Sequence, residues 1–137
     1  MALFILILGQ GGIPATIGEF QSKPAQIEEF NRKTIEDTSE AVLELIQQEF
    51  GDDWKIMKRI AECESGFRQY DSKGQTLIGQ ETKDIGLFQI NPKWLKKAGY
   101  FQMDIYRTKD NVRMAKIIKD IQGLNAWEMS FNCWKNL

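Results

Sequence analysis

Residues 61–67 read Ala61-Glu62-Cys63-Glu64-Ser65-Gly66-Phe67, two carboxylates around one cysteine where a helix runs out. Upstream of them, Asp52 or Asp53 can cap an apolar-periodic stretch from Trp54, in which Met57, Ile60, Ala61 and Glu64 recur at i, i+3, i+4 and i+7. Gly66 stands where a left-handed residue ends a helix. The spacing predicts a helix over 54–65 with Glu64 on its apolar face and Glu62 turned about 200° away. A carboxylate in the last turn also meets the negative end of the helix dipole, a place that suits Lys or Arg. The dipole is worth about 0.3–1 kcal/mol, less than the roughly 1.36 kcal/mol of one pKa unit, whereas burial moves a carboxyl by several units. Burial must therefore dominate if Glu64 is to hold a proton near neutral pH. A terminal glutamate that simply reaches water is the plain alternative.

Composition narrows the chemistry. The 137 residues, 42% of them hydrophobic, suffice for one ordinary core and predict one domain. The chain has no histidine, which excludes imidazole as base, acid or metal ligand and with it the serine and cysteine triads and most zinc sites. Two cysteines are too few for a structural zinc site, so no metal is expected. Carboxylates remain as the groups able to break bonds. The net charge of −1 conceals a division: residues 1–53 hold three basic and ten acidic residues, net −7, and residues 54–137 hold fifteen and nine, net +6. The basic part would attract an anionic polymer, nucleic acid or an acidic wall glycan, through a salt-screened field. For Lys116, Lys119 and their neighbours a solvated helix face is the preferred reading. No nucleic-acid-binding motif accompanies the charge, so nucleic acid is not expected as a partner.

The first residues, MALFILILGQGG, hold seven apolar positions from Ala2 to Leu8. A bilayer needs about 20, so no stable membrane insertion is expected. A basic start and a small-x-small cleavage site are both missing from a signal-peptide reading. A short strand, an added leader and a trimmed export signal all fit the stretch. Beyond it the pattern is helical. Ser22-Lys23-Pro24 starts a polar helix with Ile27 and Phe30 on one side. Asp37 and Glu40 form a capping-box pair ahead of Ala41, Val42, Leu45, Ile46 and Phe50, and Gly51 closes that helix. Residues 70–82, with turn residues Asp71-Ser72-Lys73-Gly74 and the run Thr76-Leu77-Ile78, predict a small hairpin. Asn91-Pro92 opens a helix through Trp94, Leu95 and Ala98 that Gly99 ends. Thr108 starts another, with Val112, Met114, Ala115, Ile117, Ile118 and Ile121 so widely distributed that it should be packed on several sides. Trp127, Phe131 and Trp134 at i, i+4 and i+7 predict a last core stripe.

Cys63-Glu64-Ser65-Gly66-Phe67-Arg68-Gln69, followed by Asp84-Ile85-Gly86-Leu87-Phe88-Gln89-Ile90-Asn91-Pro92, resembles the lysozyme-like superfamily, in particular transglycosylase domains of the soluble lytic transglycosylase type. The resemblance runs from about Trp54 to Trp134, taking in Asp110-Asn111-Val112. It implies an α+β, predominantly α-helical lysozyme-like fold with a small β-hairpin between the catalytic helix and the later helices. Residues 52–137 would form the catalytic domain, and residues 1–51 an acidic helical extension packed on it or a leader. It further implies a monomeric peptidoglycan glycosidase, without cofactor or metal, acting on glycan strands as a secreted, periplasmic or wall-associated protein. Glu64 would protonate the β-1,4 bond between N-acetylmuramic acid and N-acetylglucosamine, then act as base while the sugar's own 6-hydroxyl closes a 1,6-anhydro product.

Two departures from the family pattern matter. Asp84 stands where transglycosylases carry a small residue, and D-x-G-x-x-Q-I-N is closer to animal-type lysozymes, whose second catalytic carboxylate occupies that place. Hydrolysis by Glu64 and Asp84 is therefore the alternative, as is a turn or capping role for Asp84. A retaining hydrolase, lysozyme being the type case, holds its carboxyl groups about 5–5.5 Å apart. The family's later Tyr-Asn-x-Gly signature is missing, with Phe131-Asn132 only a partial echo. Gln89 and Asn91 would bond the sugar, although Asn91 also suits a helix cap. Ser65 would orient Glu64 or finish its helix. Trp94, Tyr100 and Phe101 read as core, with sugar stacking as the alternative. Since wall-degrading enzymes work outside the reducing cytosol, Cys63 and Cys133 are expected as a disulfide rather than two buried thiols. A non-catalytic peptidoglycan-binding protein is the remaining alternative.

Overall fold

The computed structural model describes residues 24–26 and 37–136, and residues 24–26 are helical and exposed. The N-terminal apolar stretch and the expected helix partners Ile27 and Phe30 lie outside the described residues. The architecture is predominantly helical: α1 is Ser39–Phe50, α2 Trp54–Ser65, α3 Leu95–Tyr100, α4 Thr108–Gln122 and α5 Phe131–Trp134, with short 3₁₀ turns at Gly51–Asp53, Pro92–Trp94 and Gly123–Ser130. Among the described residues no helix is long and apolar enough to cross a membrane.

The start of α1 differs from the sequence expectation by one residue. Thr38, extended at φ −68° and ψ 152°, is the cap, and its hydroxyl accepts the Ala41 N–H at 3.2 Å. Asp37 lies one residue too early for that role and instead accepts a hydrogen bond from the Thr108 hydroxyl at the start of α4. Val42, Ile46 and Phe50, at i, i+4 and i+8, are buried in the same core as α2 and α4. Asp53 does not cap α2. The 3₁₀ turn feeds directly into the helix, with Trp54 N–H bonded to Gly51 O, and the Asp53 carboxylate is left to pair with Lys119 at 2.5 Å.

Between α2 and α3 the expected turn is present, closed by Gly74 N–H to Asp71 O at 3.1 Å, but the strands are not. Three isolated antiparallel bridges remain: Tyr70 with Thr76, Ile78 with Ile85, and Ile85 with Ile90. Side-chain amides take over the work of a sheet ladder. Asn111, in α4 and 0% exposed, accepts Phe88 N–H at 3.0 Å and donates to Ile85 O and Ile105 O at 2.9 Å each. Gln69 accepts Leu87 N–H at 2.8 Å and donates to Ile105 O at 3.3 Å. Both close around Gly86, at φ +72°, where an added Cβ would lie 2.5–2.6 Å from the two amides. Only glycine fits there.

Phe88 is fully buried, with its ring 5.7 Å from Phe50 and 5.9 Å from Trp127, whose indole N–H returns to Phe88 O at 2.9 Å. The C-terminal stripe is only partly realised. Trp127 and Trp134 are buried, but Phe131 is 48% exposed, because the chain kinks at Trp127 and the 3₁₀ geometry of Gly123–Ser130 shifts the helical register. The wide apolar belt of α4 is likewise reduced on one side, with Ile121 53% exposed. Gly99 does not end its helix: α3 continues to Tyr100, and the left-handed residue is Gln102.

Replacing Asn111 by Leu removes the partner of a buried N–H and two further bonds, an expected loss of about 2–4 kcal/mol. Urea unfolding would register it as a lowered midpoint, and an unchanged midpoint would show that the amide is dispensable.

Candidate functional site

The two glutamates that flank Cys63 have opposite surroundings. Glu62 faces outward between Lys58 and Arg59, the latter 3.4 Å from its carboxylate, and the hydrogen bond from Lys58 holds its carboxyl below the usual range. It belongs to an i,i+4 ion pair on the helix surface. Glu64 is half-buried at the end of α2, where Gly66, at φ 65° and ψ 31°, closes the helix and donates its N–H to Glu62 O. Burial pushes the Glu64 carboxyl up from its ordinary value; a hydrogen bond from Ser130 pulls it back, and the nearby charge of Asp84 pushes it up again. The Ser130 hydroxyl lies 2.5 Å from Glu64 Oε1 and 3.2 Å from Trp127 O.

Glu64 opens into a depression of about 190 Å³ that it lines with Ser65, Arg68, Leu77, Ile78 and Gln89. Ser65 does not bond Glu64. Its hydroxyl donates to Ala61 O at 3.1 Å and accepts Arg68 N–H at 3.0 Å, so it finishes the helix and starts the following turn. Gln89 sits on the shared edge of this depression and a second one of about 210 Å³, which Asp84, Asn91, Lys93, Trp94, Trp127 and Met129 also line. Its side chain donates to Gly86 O at 2.9 Å from a backbone at φ 45°.

Asp84 is fixed at both oxygens, one accepting from the Thr82 hydroxyl at 2.7 Å and the other from Asn91 Nδ2 at 3.0 Å. Asn91 does two jobs at once, since its Oδ1 also accepts Lys93 N–H at 3.0 Å and caps the turn that Pro92 begins. Glu64, Ser65, Asp84, Gln89 and Asn91 thus surround two adjoining hollows. Trp94 is half-buried against the core, but Tyr100 is 83% exposed and Phe101 42%, so these two are not core residues. Among the described residues no group of three or more histidine, cysteine or carboxylate side chains is arranged to hold a metal ion.

Cys63 and Cys133 form a disulfide with Cα atoms 6.0 Å apart. This bond lies one residue from Glu64 and three from Ser130, and it explains how side chains 66 positions apart meet. Sequence reasoning missed Ser130. The usable signal was the cysteine pair itself: once joined, it sets the turn before Cys133 against the end of α2. Thr82 and Arg68 were missed because nothing local distinguishes either from a solvated loop residue.

A carboxyl raised in the folded state favours folding while protonated, so its contribution is complete below the ordinary value of 4.5 and is lost as pH rises through the raised one. Glu64→Gln, which keeps an acceptor for Ser130, should therefore gain thermal stability relative to wild type as pH rises through that window. Parallel melting curves would show it, and a constant gap between the two proteins would refute it. Ser130→Ala removes the bond that lowers the Glu64 titration, so an NMR titration of the Glu64 side chain should move to higher pH. A shift in the opposite direction would show that Ser130 does not act on this carboxyl. Compared with protein-family models, curated proteins and solved structures, the chain has no match.

Proposed function

We propose that the protein is a peptidoglycan glycosidase cleaving the β-1,4 bond between N-acetylmuramic acid and N-acetylglucosamine, with Glu64 as its general acid. The observation that carries this reading is the half-buried Glu64 carboxyl at the edge of a hollow, pushed above its ordinary titration by burial and a neighbouring carboxylate. A general acid works best when it titrates near the working pH, and desolvation is the means of raising a carboxyl. The resemblance of residues 54–134 to the lysozyme-like superfamily supplies the substrate class, and the helical core with a nearly strandless excursion between α2 and α3 is compatible with that fold.

In the reaction, the Glu64 carboxyl gives its proton to the glycosidic oxygen as the bond to the anomeric carbon breaks. Positive charge develops at that carbon. The resulting Glu64 carboxylate takes the proton of the muramyl 6-hydroxyl while that oxygen bonds the anomeric carbon, which returns the carboxyl to its starting state and leaves a 1,6-anhydro end. The Ser130 hydroxyl suits a group that must be acid and then base. It donates to Glu64 Oε1, which leaves Oε2 to carry the proton toward the glycosidic oxygen and favours the carboxylate that must then act as base.

Hydrolysis is the second reading, favoured by Asp84. That carboxylate is held by two donors and is close enough for its charge to act on Glu64, as a stabiliser or nucleophile would be. Mass spectrometry of products from purified sacculi separates the two readings: anhydro ends mean transglycosylation, reducing ends hydrolysis. Glu64→Gln should lower soluble muropeptide release by about 10²-fold or more with the fold intact. Full release by that variant would remove Glu64 from the chemistry, and binding without release by the wild type would point to a non-catalytic wall-binding protein.

A further inference from the structure

Lys93, Lys96, Lys97 and Tyr100 recur at i, i+3, i+4 and i+7 along the Pro92–Trp94 turn and α3, and all four are exposed. The chain has no acidic residue between Asp84 and Asp104. Among the described residues none of these three lysines is in an ion pair. Like charges at this spacing destabilise a helix, and α3 is only six residues long, so the stripe works against the element that carries it. The dipole returns part of that cost at Lys97, in the last turn, and an otherwise unreturned cost is a mark of function.

The same face is concave. Lys93, Trp94, Lys96, Lys97, Tyr100 and Phe101 line a trough of about 500 Å³, with the Tyr100 and Phe101 rings edge to face at 5.2 Å. Lys93 and Trp94 also line the hollow of Asp84 and Asn91, which in turn meets the hollow of Glu64 at Gln89. Neighbouring depressions thus share lining residues from the lysine trough to the hollow of Glu64. A neutral sugar needs an aromatic face and hydrogen-bonding groups, not three cations. An anionic ligand needs the cations, and for a strand seated over Glu64 the nearest anions are those attached to the strand itself.

We propose that this trough binds the carboxylate-bearing stem peptides of the glycan strand whose sugars lie over Glu64, the lysines pairing with peptide carboxylates and Tyr100 and Phe101 covering the apolar side chains. The proposal rests on the glycosidase reading and adds to it a preference for peptide-substituted strands.

The test compares wild type with K96Q/K97Q, which lie outside the hollow of Asp84 and Asn91, on intact sacculi and on sacculi stripped of stem peptides by an amidase. On intact sacculi KM should rise about tenfold at low salt with kcat unchanged, and the difference should shrink at about 0.2 M salt. On stripped strands the two proteins should be equal. An equal loss on both substrates would mean that the trough reads sugar, no loss on either would mean a solvated helix face, and a loss that follows wall phosphate polymer rather than peptide would name a different ligand; each overturns the proposal. Co-sedimentation of E64Q, with and without the lysine substitutions, reads binding without turnover. Should the wild type release nothing, that measurement still separates a failed trough from a failed assignment of Glu64. Circular dichroism and the urea midpoint check that the exposed substitutions leave the fold intact.

Discussion

Two buried amides around one glycine determine where most of this molecule goes. Asn111 and Gln69 satisfy the backbone of residues 85–88 and 105 in a region with no strand to do so. An unpaired polar group in that interior would cost more than a made bond contributes, so the segment has one acceptable position. Among the described residues no buried side-chain nitrogen or oxygen lacks a partner. From this clamp Phe88 is driven between Phe50 and Trp127, and Asp84, Gln89 and Asn91 are presented along the hollows beside Glu64. The clamp thus links the core of the fold to the geometry of the candidate site. It needs Gly86 because two amides occupy the volume where any side chain would begin.

Glu64 is held by a separate device. Its backbone ends α2, while its carboxyl bonds a serine brought in by the disulfide between Cys63 and Cys133. Closing a loop of about 70 residues is worth up to roughly 4 kcal/mol in the chain-entropy model. The same covalent bond keeps a short C-terminal helix of four residues against α2, an element too short to persist alone. Burial and the charge of Asp84 favour the protonated carboxyl, whereas the Ser130 bond favours the carboxylate. On the glycosidase reading, such opposition suits a group that must release a proton and recover it.

Long-period features of this structure were legible in the sequence, and features that depend on partners far along the chain were not. The 54–65 helix, its apolar face, the opposite fates of Glu62 and Glu64 and the closing Gly66 follow from a 3.6-residue period and a glycine at the right place. The turn at Asp71–Gly74 follows from its residues. The strands beside it failed because Gln69 and Asn111 offer the backbone other partners, and a mid-helix asparagine gives no local sign of such a task. Phe131 was misplaced because a 3₁₀ turn advances three residues where an α-helix advances 3.6. The cap of α1 moved from Asp37 to Thr38 because Asp37 is engaged by Thr108, a contact across 71 positions that no window of sequence contains.

On the glycosidase reading, protonating Glu64 would have a second consequence. If the hollows beside Glu64 bind an anionic strand, protonating one of their two carboxylates removes one repelling charge and leaves Arg68 on one side and Lys96 and Lys97 on the other. On the glycosidase reading, the state of Glu64 that can donate its proton is also the state that least opposes the substrate. Binding and chemistry then favour the same protonation state, and burial of a single carboxyl serves both.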